Sequence, residues 1–263
     1  MHPILFHIPF LGNFALHSYG LMIATGVFMA LLWAKHDAKV RGQNPDTVVD
    51  FVFYLLFSGM IGARLHYVLV SDWESFSANP LFFFQIWKGG LSFYGGVITA
   101  FAASFLFFKR KKVSASAYLD IIAPGIALGH VFGRIGCFLA GCCYGRELDH
   151  AAWYGVVFPD TASTIAPPNV PLYPTQLMES GAELLLFVFL LLLRKRQKFS
   201  GQIFASYIAV YSLVRFVLEY FRGDLIRGFV FGGMFSTSQF LSLLLFFVSL
   251  FYILFHLKRE KKR

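Results

Sequence analysis

The chain has 263 residues, a formal net charge of +9 at pH 7, 57% hydrophobic residues and only 14% charged residues. A soluble domain carries about 25% charged residues, so this composition excludes an ordinary soluble protein. The positive charge does not indicate a nucleic-acid partner, because most basic residues cluster at the ends of apolar segments, as in membrane proteins.

Long uncharged runs predict an all-α membrane protein with seven transmembrane helices in one integral-membrane domain, residues 1–263. Residues 1–34 contain no Asp, Glu, Lys or Arg, and runs of about 18 or more apolar residues are typical of membrane-spanning helices. The predicted spans are, in chain order, residues 17–34, 51–71, 91–108, 115–137, 176–193, 202–222 and 238–257. The outer loop 138–175 is the longest connection, and its prolines make much of it non-helical.

Residues 1–16 precede the first predicted span. Phe6, Phe10 and Phe14 recur at helical spacing, which is typical of an interfacial segment lying on the outer leaflet. A disordered leader is the alternative. A cleavable signal peptide is not expected, because no basic residue precedes the apolar stretch.

The basic residues predict the orientation of the chain in the membrane. Clusters follow the first, third, fifth and seventh spans, at residues 35–41, 109–112, 194–198 and 258–263. Seven spans place all four clusters on one side, and the positive-inside rule makes that side cytoplasmic. The N-terminus is therefore expected outside and the C-terminus in the cytoplasm, with anionic lipid headgroups as partners of the basic ends.

A second group of charged residues lies within the predicted spans. Arg215 lies 17 residues after Lys198, about 25 Å of helix, which places it in the outer leaflet. The other intramembrane charges fall at the same outer depth: Arg64, Arg134, Arg222, Glu179, Glu183 and Glu219. Charges at this depth usually line a cavity, and arginine suits bidentate phosphate binding. We therefore expect a lipid-phosphate site open to the outer leaflet. The alternatives are ion pairs that only join helices, and arginines that extend to the headgroups.

The sixth predicted span carries these charges on one face. Tyr211, Arg215, Glu219 and Arg222 follow one another at spacings of one helical turn. At these spacings Glu219 can pair with both arginines.

The chain has three cysteines, Cys137, Cys142 and Cys143, at the outer end of the fourth span. Four interpretations are open: small buried apolar side chains, a disulfide from Cys137 to one of the other two, a reactive or substrate-contacting thiol, and a metal site. A bond between the adjacent Cys142 and Cys143 would be strained. Three ligands at this spacing fit zinc poorly, so no metal is expected.

Several segments together resemble the prolipoprotein diacylglyceryl transferase family. Gly133–Arg134–Ile135–Gly136, followed by Phe138, Gly141 and Gly145, is similar to the family's signature. The resemblance extends in order over almost the whole chain, through the segments 17–20, 62–67, 87–96, 173–179 and 211–222.

The resemblance implies a reaction and its partners. A diacylglyceryl group would pass from phosphatidylglycerol to the lipobox cysteine thiol of a prolipoprotein, forming a thioether and releasing glycerol phosphate. It also implies a multi-pass protein of the bacterial inner membrane that needs no metal, nucleotide or other cofactor. We expect a monomer.

The resemblance also assigns roles to residues. The expected catalytic residues are Arg134, Arg215, Glu219 and Tyr94. The two arginines would stabilise the charge of the leaving group, and Glu219 would orient Arg215. The expected substrate-binding residues are Tyr19, Arg64, Gly95, Gly96, Cys137, Gly145, Gln176, Glu179, Tyr211 and Arg222.

The chain departs from the family pattern at four of these motif positions. Most members carry His at the position of Tyr94, Asn at those of Cys137 and Ala140, and Glu at that of Cys142. A phenol is a poorer base near neutral pH than an imidazole. A divergent enzyme for another lipid or acceptor, and a non-catalytic lipid- or lipoprotein-binding protein, are therefore alternatives. A transporter is disfavoured, because the sequence has no internal repeats.

Overall fold

The computed structural model describes residues 2–8, 14–86, 89–150, 152–160, 164–223 and 228–262, without the side chains of Ile8, Phe14 and Phe93. The elements of the first half are β1 (Ile4–Ile8), β2 (Phe14–His17), α1 (Ser18–Val40), α2 (Pro45–Val70), α3 (Trp73–Ala78), α4 (Phe93–Lys111) and α5 (Ala115–Ala140). Those of the second half are β3 (Val156–Val157), β4 (Pro171–Leu172), α6 (Thr175–Arg194), α7 (Gln202–Leu218), β5 (Phe229–Val230), β6 (Phe235–Ser236) and α8 (Thr237–Glu260).

Each of the seven predicted spans overlaps one long helix, and the chain is an all-α membrane protein. Six helices of the described chain are long and apolar enough to cross a membrane: α1, α2, α5, α6, α7 with the short turn that follows it, and α8. Helix α4 occupies the third predicted span, but it is 19 residues long and its last turn is basic. It is not one of the six.

Backbone packing divides the chain into two compact units. The main unit contains residues 1–34 and 119–263, and the second unit contains residues 35–118, with α2, α3 and α4. Each unit carries some of the residues that the sequence analysis assigned to substrate.

Small residues let helices α1 and α5 approach closely in the main unit. A β-carbon on Gly26 would lie 2.8 Å from the Gly129 carbonyl oxygen, and one on Gly125 would lie 2.9 Å from that of Ala30. Such close approach stabilises helix pairs in membranes through backbone packing. A separate apolar cluster joins α5, α6 and α7, and it is built from Ala123, Ala127, Leu186, Leu190, Ile203 and Tyr207.

Polar side chains fix the start of two helices of the main unit. Asp120 of α5 accepts hydrogen bonds from the backbone N–H groups of Gly201 (2.6 Å) and Phe204 (2.9 Å), at the beginning of α7. Helix α8 begins with a capping box, in which Ser236 and Gln239 each accept the other's backbone N–H. The Asp120 carboxylate and the capping box both accept hydrogen bonds from helix N–H groups that would otherwise be buried without a partner.

The second unit depends on close packing of α2 against α4. A β-carbon on Gly62 would overlap the Thr99 side chain, and one on Gly95 would overlap that of His66. Thr99 Oγ1 donates across the interface to the Ser58 carbonyl oxygen (3.1 Å). Asn44 and Pro45 begin α2, where the Asn44 side chain accepts the N–H of Asp46.

The helical spacing of the phenylalanines in residues 1–16 does not correspond to a helix in the structure. Strands β1 and β2 form an antiparallel hairpin, in which His7 faces Ala15, instead of an interfacial helix or a disordered leader. Ser18 N donates to the Pro3 carbonyl oxygen (3.0 Å) and closes the hairpin onto α1. Prolines at positions 3 and 9 disfavour a helix, whereas the β-branched and aromatic residues favour strands. Phe10 lies outside the described residues.

Candidate functional site

Three helices of the main unit bring two arginines onto one glutamate. Arg134 of α5 places Nη2 at 2.7 Å from Glu179 Oε1 of α6. Arg215 of α7 places Nη1 at 3.6 Å from Glu179 Oε2. The carboxylate of Glu179 therefore lies between two guanidinium groups.

A second carboxylate holds Arg215 from its own helix. Glu219 Oε2 lies 3.0 Å from Arg215 Nη2, and Glu219 Oε1 accepts the Ser236 hydroxyl (2.8 Å). Because Ser236 also caps α8, the start of this helix fixes the position of Glu219. We call Arg134, Glu179, Arg215 and Glu219 the arginine–glutamate cluster.

The cluster is buried, and two of its guanidinium nitrogens make no hydrogen bond to the described residues. The side chains of Glu179 and Glu219 are 1% and 2% exposed, and those of the arginines are 13% and 14% exposed. Arg134 Nε and Arg215 Nη1 are buried, and neither has a hydrogen-bond partner among the described residues. A buried donor without a partner costs about 1–3 kcal/mol, so an anionic ligand at this point would be stabilised.

A histidine–glutamate pair lies one helical turn away on α5 and α6. His130 Nδ1 is 3.2 Å from Glu183 Oε1, and the His130 ring centre is 5.4 Å from that of Tyr211. The sequence analysis did not assign His130 a role. His130 lies four residues before Arg134 on α5, and Glu183 lies four residues after Glu179 on α6. This matched spacing of one helical turn indicates that α5 and α6 pair through the faces that carry these residues.

Two predicted substrate contacts lie near the start of α1 and the end of α5. Tyr19 begins α1, and its ring packs against Gly136 of α5. Cys137 follows Gly136 and is buried. Tyr211 lies four residues before Arg215 on α7 and stacks on Tyr207, with ring centres 5.8 Å apart.

Two side chains of α6 fix the outer loop that carries the remaining cysteines. Gln176 Nε2 donates to the Cys142 carbonyl oxygen (2.8 Å), and Thr175 Oγ1 donates to that of Cys143 (3.1 Å). Gln176 is buried, and these bonds hold the loop backbone to α6. All three cysteines are free thiols, so the disulfide interpretation does not describe this structure.

The same loop is packed against the end of α7. Gly145 forms a β-bridge with Arg222, and Arg146 N donates to the Phe221 carbonyl oxygen (2.8 Å). A β-carbon on Gly145 would overlap the Tyr173 carbonyl oxygen, which explains why only glycine fits. Gly145 and Arg222 thus join the loop after α5 to the segment after α7.

Arg64 of the second unit is bound by main-chain carbonyl groups. Its guanidinium donates to the carbonyl oxygens of Phe82, Phe83 (2.9 Å), Gly89 (2.7 Å) and Gly90 (3.0 Å). The side chain is 1% exposed. Four of its five N–H groups are therefore occupied within the protein.

Tyr94 lies in the first turn of α4 and is 54% exposed. Gly95 and Gly96 follow it and pack against α2, where a β-carbon on Gly96 would lie 3.2 Å from the Gly59 carbonyl oxygen. Trp87 and Lys88, from the same resemblance segment, lie outside the described residues. In sum, Arg134, Glu179, Arg215 and Glu219 come together in the main unit, whereas Arg64, Tyr94, Gly95 and Gly96 belong to the second unit.

The sequence matches a known protein family over nearly all of its length. The family described as prolipoprotein diacylglyceryl transferase matches residues 3–255. The chain is similar to the phosphatidylglycerol–prolipoprotein diacylglyceryl transferase of Clostridium tetani, with 36% identity over 266 residues and 100% of both chains covered. It is 36% identical to transferase 2 of this name from Clostridium perfringens, over 87% of this chain and 86% of the relative. The corresponding transferase of Geobacter sulfurreducens is 34% identical, over 94% of this chain and 92% of the relative.

Proposed function

Because the chain belongs to the prolipoprotein diacylglyceryl transferase family, we propose that the arginine–glutamate cluster is the site of its reaction. The enzyme transfers the diacylglyceryl group of phosphatidylglycerol to prolipoproteins, as a multi-pass membrane transferase of lipoprotein biosynthesis. The observation that carries the proposed site is the buried Arg134 Nε, which has no hydrogen-bond partner among the described residues, in a cluster where Arg215 Nη1 has only Glu179 Oε2 within 3.6 Å.

The proposed reaction is a displacement at carbon. The lipobox cysteine thiol gives up its proton, and its sulfur attacks the glyceryl carbon that carries the phosphate ester. A C–S bond forms while the C–O bond breaks, and glycerol phosphate leaves with the electron pair. Negative charge therefore grows on the phosphate, where fixed cationic donors lower the barrier most.

The two arginines suit this task because a guanidinium group has two usable edges. Arg134 pairs with Glu179 through Nη2, which leaves Nε to face a phosphate oxygen. Arg215 pairs with Glu219 through Nη2, and its Nη1, 3.6 Å from Glu179 Oε2, makes no hydrogen bond to the described residues. Glu179 and Glu219 fix the planes of both groups in advance, so that little reorganisation is needed when the leaving group forms.

The other assigned residues have supporting roles in this proposal. Tyr19, Tyr211 and Cys137 lie near Arg134 of the cluster, where they would contact the substrates. Gln176, Gly145 and Arg222 hold the backbone of the outer loop. The roles of the residues in the second unit rest on the family resemblance alone. They are substrate binding by Arg64, Gly95 and Gly96, and acceptance of the thiol proton by Tyr94, which acts as a base in its phenolate form.

The proposed setting is the bacterial inner membrane. We propose seven spans, which are the six long apolar helices together with α4. The N-terminus is then outside and the C-terminus is in the cytoplasm. The alternation of basic clusters supports this orientation. The enzyme would act as a monomer without a cofactor, on phosphatidylglycerol and on the signal peptide of a prolipoprotein.

A vesicle assay tests the proposed site. Full-length protein is reconstituted into phosphatidylglycerol vesicles with a peptide that carries a lipobox cysteine, and the peptide is followed by mass spectrometry. We expect it to gain one diacylglyceryl group, and to gain none in phosphatidylethanolamine vesicles or when its cysteine is replaced by serine. Arg134→Ala and Arg215→Ala should abolish the gain.

Arg194→Ala is the matched control for these variants. Arg194 is at the other end of α6 from Glu179, about 22 Å along the helix, where it lies over Trp33. This variant should retain transfer. Full transfer by folded Arg134→Ala and Arg215→Ala proteins would show that the reaction takes place elsewhere.

A further inference from the structure

The three cysteines of the chain converge on one point. Their Sγ atoms all lie within 4.8 Å of one another, although Cys137 belongs to α5 and the other two belong to the outer loop. All three are free thiols. Among the described residues, no His, Asp or Glu joins this group.

The backbone that carries the thiols is held by other parts of the protein. Gly141, with φ +67°, ends α5 and turns the chain back, so that the N–H of Cys142 donates to the Cys137 carbonyl oxygen (3.1 Å). Cys143 adopts φ +58°, which is uncommon for a residue with a side chain. Thr175 and Gln176 fix the carbonyl groups of Cys143 and Cys142. The thiols are therefore brought together by the fold and not only by contacts among themselves.

We propose that Cys137, Cys142 and Cys143 form a three-coordinate site for a single soft metal ion, Cu(I). Thiolate ligands favour soft ions. A metal–sulfur distance of about 2.3 Å places the ligands of a trigonal site about 4 Å apart, which the observed limit of 4.8 Å accommodates. Structural zinc sites need four protein ligands, and only three converge here, whereas three thiolates complete the coordination of Cu(I).

Two positively charged side chains act on the Cys143 thiol. These side chains are Arg222 and Arg134. Metal binding requires that each coordinating thiol give up its proton to solvent. Three thiolates around one Cu(I) leave two negative charges, which the two guanidinium groups would offset.

Occupancy of this site would affect the enzyme. Cys137 lies three residues after Arg134 on α5, so a bound ion would place the anionic thiolate group beside the cluster. Transfer should fall when Cu(I) binds, a consequence that rests on the proposed location of the reaction. The binding itself does not depend on it.

A competition titration tests the site directly. Reduced full-length protein in detergent is titrated with Cu(I) under anaerobic conditions against a chromophoric chelator. We expect one equivalent to bind, with a thiolate-to-metal charge-transfer band in the ultraviolet. Cys142→Ser and Cys143→Ser should each weaken Cu(I) binding by more than about tenfold. Loss of a residue that only hydrogen-bonds to a metal ligand already lowers metal affinity about tenfold, and loss of a ligand should cost more. His130→Ala, which removes the nearest preceding histidine, is the matched control and should bind as the parent does.

Alkylation of the unaltered protein provides a second measurement that does not depend on the folding of the variants. Without Cu(I), an alkylating reagent should modify the partly exposed Cys142 and Cys143 in detergent, and one equivalent of Cu(I) should protect both. Equal binding by folded serine variants, or alkylation that Cu(I) does not slow, would overturn the proposal. Either failure is separable from the transfer reaction, because neither readout measures transfer.

Discussion

At the scale of single residues, Glu179 determines how both arginines are held. It is buried, and it is the one residue of the cluster that approaches the guanidinium groups of both Arg134 and Arg215. Removing one partner from a buried ion pair leaves an uncompensated charge, which costs about 3–5 kcal/mol. The cluster should therefore be sensitive to loss of this carboxylate in stability as well as in activity.

Replacement of Glu179 tests this dependence. Glu179→Gln should lower the thermal unfolding temperature in detergent and abolish most of the transfer activity, because Arg134 would lose the carboxylate that orients it and Arg215 would keep only Glu219. Unfolding can be followed by circular dichroism, and transfer by mass spectrometry of the acceptor peptide. Glu74→Gln, at an exposed position in α3, is the control and should change neither quantity. A Glu179→Gln protein with normal rate and stability would contradict the role given to Glu179.

The geometry of the guanidinium group is a separate requirement from its charge. A lysine at position 134 could still pair with Glu179, but it would have neither the Nε donor nor the planar fork. We expect Arg134→Lys to lower the rate of transfer by about 10²–10³-fold, the effect of losing one charge-stabilising donor. Initial rates should be compared with those of Arg194→Lys, which should stay near the parent value. Retention of most of the activity by Arg134→Lys would show that positive charge alone is sufficient.

Residue-level prediction from the sequence succeeded where the information was local. The one-turn spacing of Arg215 and Glu219 predicted their pairing, which the structure confirms at 3.0 Å. The surroundings of Arg64 could not be predicted, because its acceptors are carbonyl groups 18 to 26 residues further along the chain. No pattern in the sequence identifies a main-chain oxygen as the partner of a particular arginine.

At the scale of elements, the outer loop depends on a glycine that no other residue can replace. Gly145 connects the segment after α5 to the end of α7 through its bridge to Arg222, and it has no space for a side chain. A methyl group there would push the loop away from Tyr173. The loop carries two of the three cysteines, so its position should matter for the site.

A pair of glycine substitutions tests the importance of this packing. Gly145→Ala should destabilise the protein by about 1–3 kcal/mol, the usual cost of overpacking, and should reduce transfer. Gly181→Ala, within α6, has open space around the new methyl group and should be neutral or stabilising by up to about 1 kcal/mol. Thermal unfolding and transfer rates of the two variants can be compared side by side. Equal unfolding temperatures and transfer rates for Gly145→Ala and Gly181→Ala would mean that the outer loop tolerates displacement.

The helices were predictable from the sequence because uncharged runs mark them directly. All seven predicted spans overlap helices, but the charges at their ends did not give the exact limits. The hairpin β1–β2 was not predicted, because the phenylalanine spacing is typical of a helix, whereas the prolines at positions 3 and 9 disfavour one. The short helix α3 was also missed, since its six residues are too few to produce a periodic pattern.

At the scale of the whole molecule, the proposed orientation makes a direct prediction. Alkaline phosphatase fused after residue 263 should be inactive, because this reporter folds only outside the cytoplasm, whereas green fluorescent protein fused there should fluoresce. Alkaline phosphatase inserted in the outer loop, within residues 152–160, should be active. The opposite pattern at either point would contradict a seven-span chain with its C-terminus in the cytoplasm.

The measurement that tests the central claim most directly is complementation. The resident transferase is depleted from a bacterium that requires it, this chain is expressed in its place, and a model prolipoprotein is analysed by mass spectrometry. The account predicts growth and a gain of the diacylglyceryl mass on the lipobox cysteine, both lost with Arg134→Ala or Arg215→Ala and both kept with Arg194→Ala. An unmodified prolipoprotein in cells that contain the folded, membrane-inserted parent protein would contradict it, as would normal modification by the Arg134→Ala and Arg215→Ala variants.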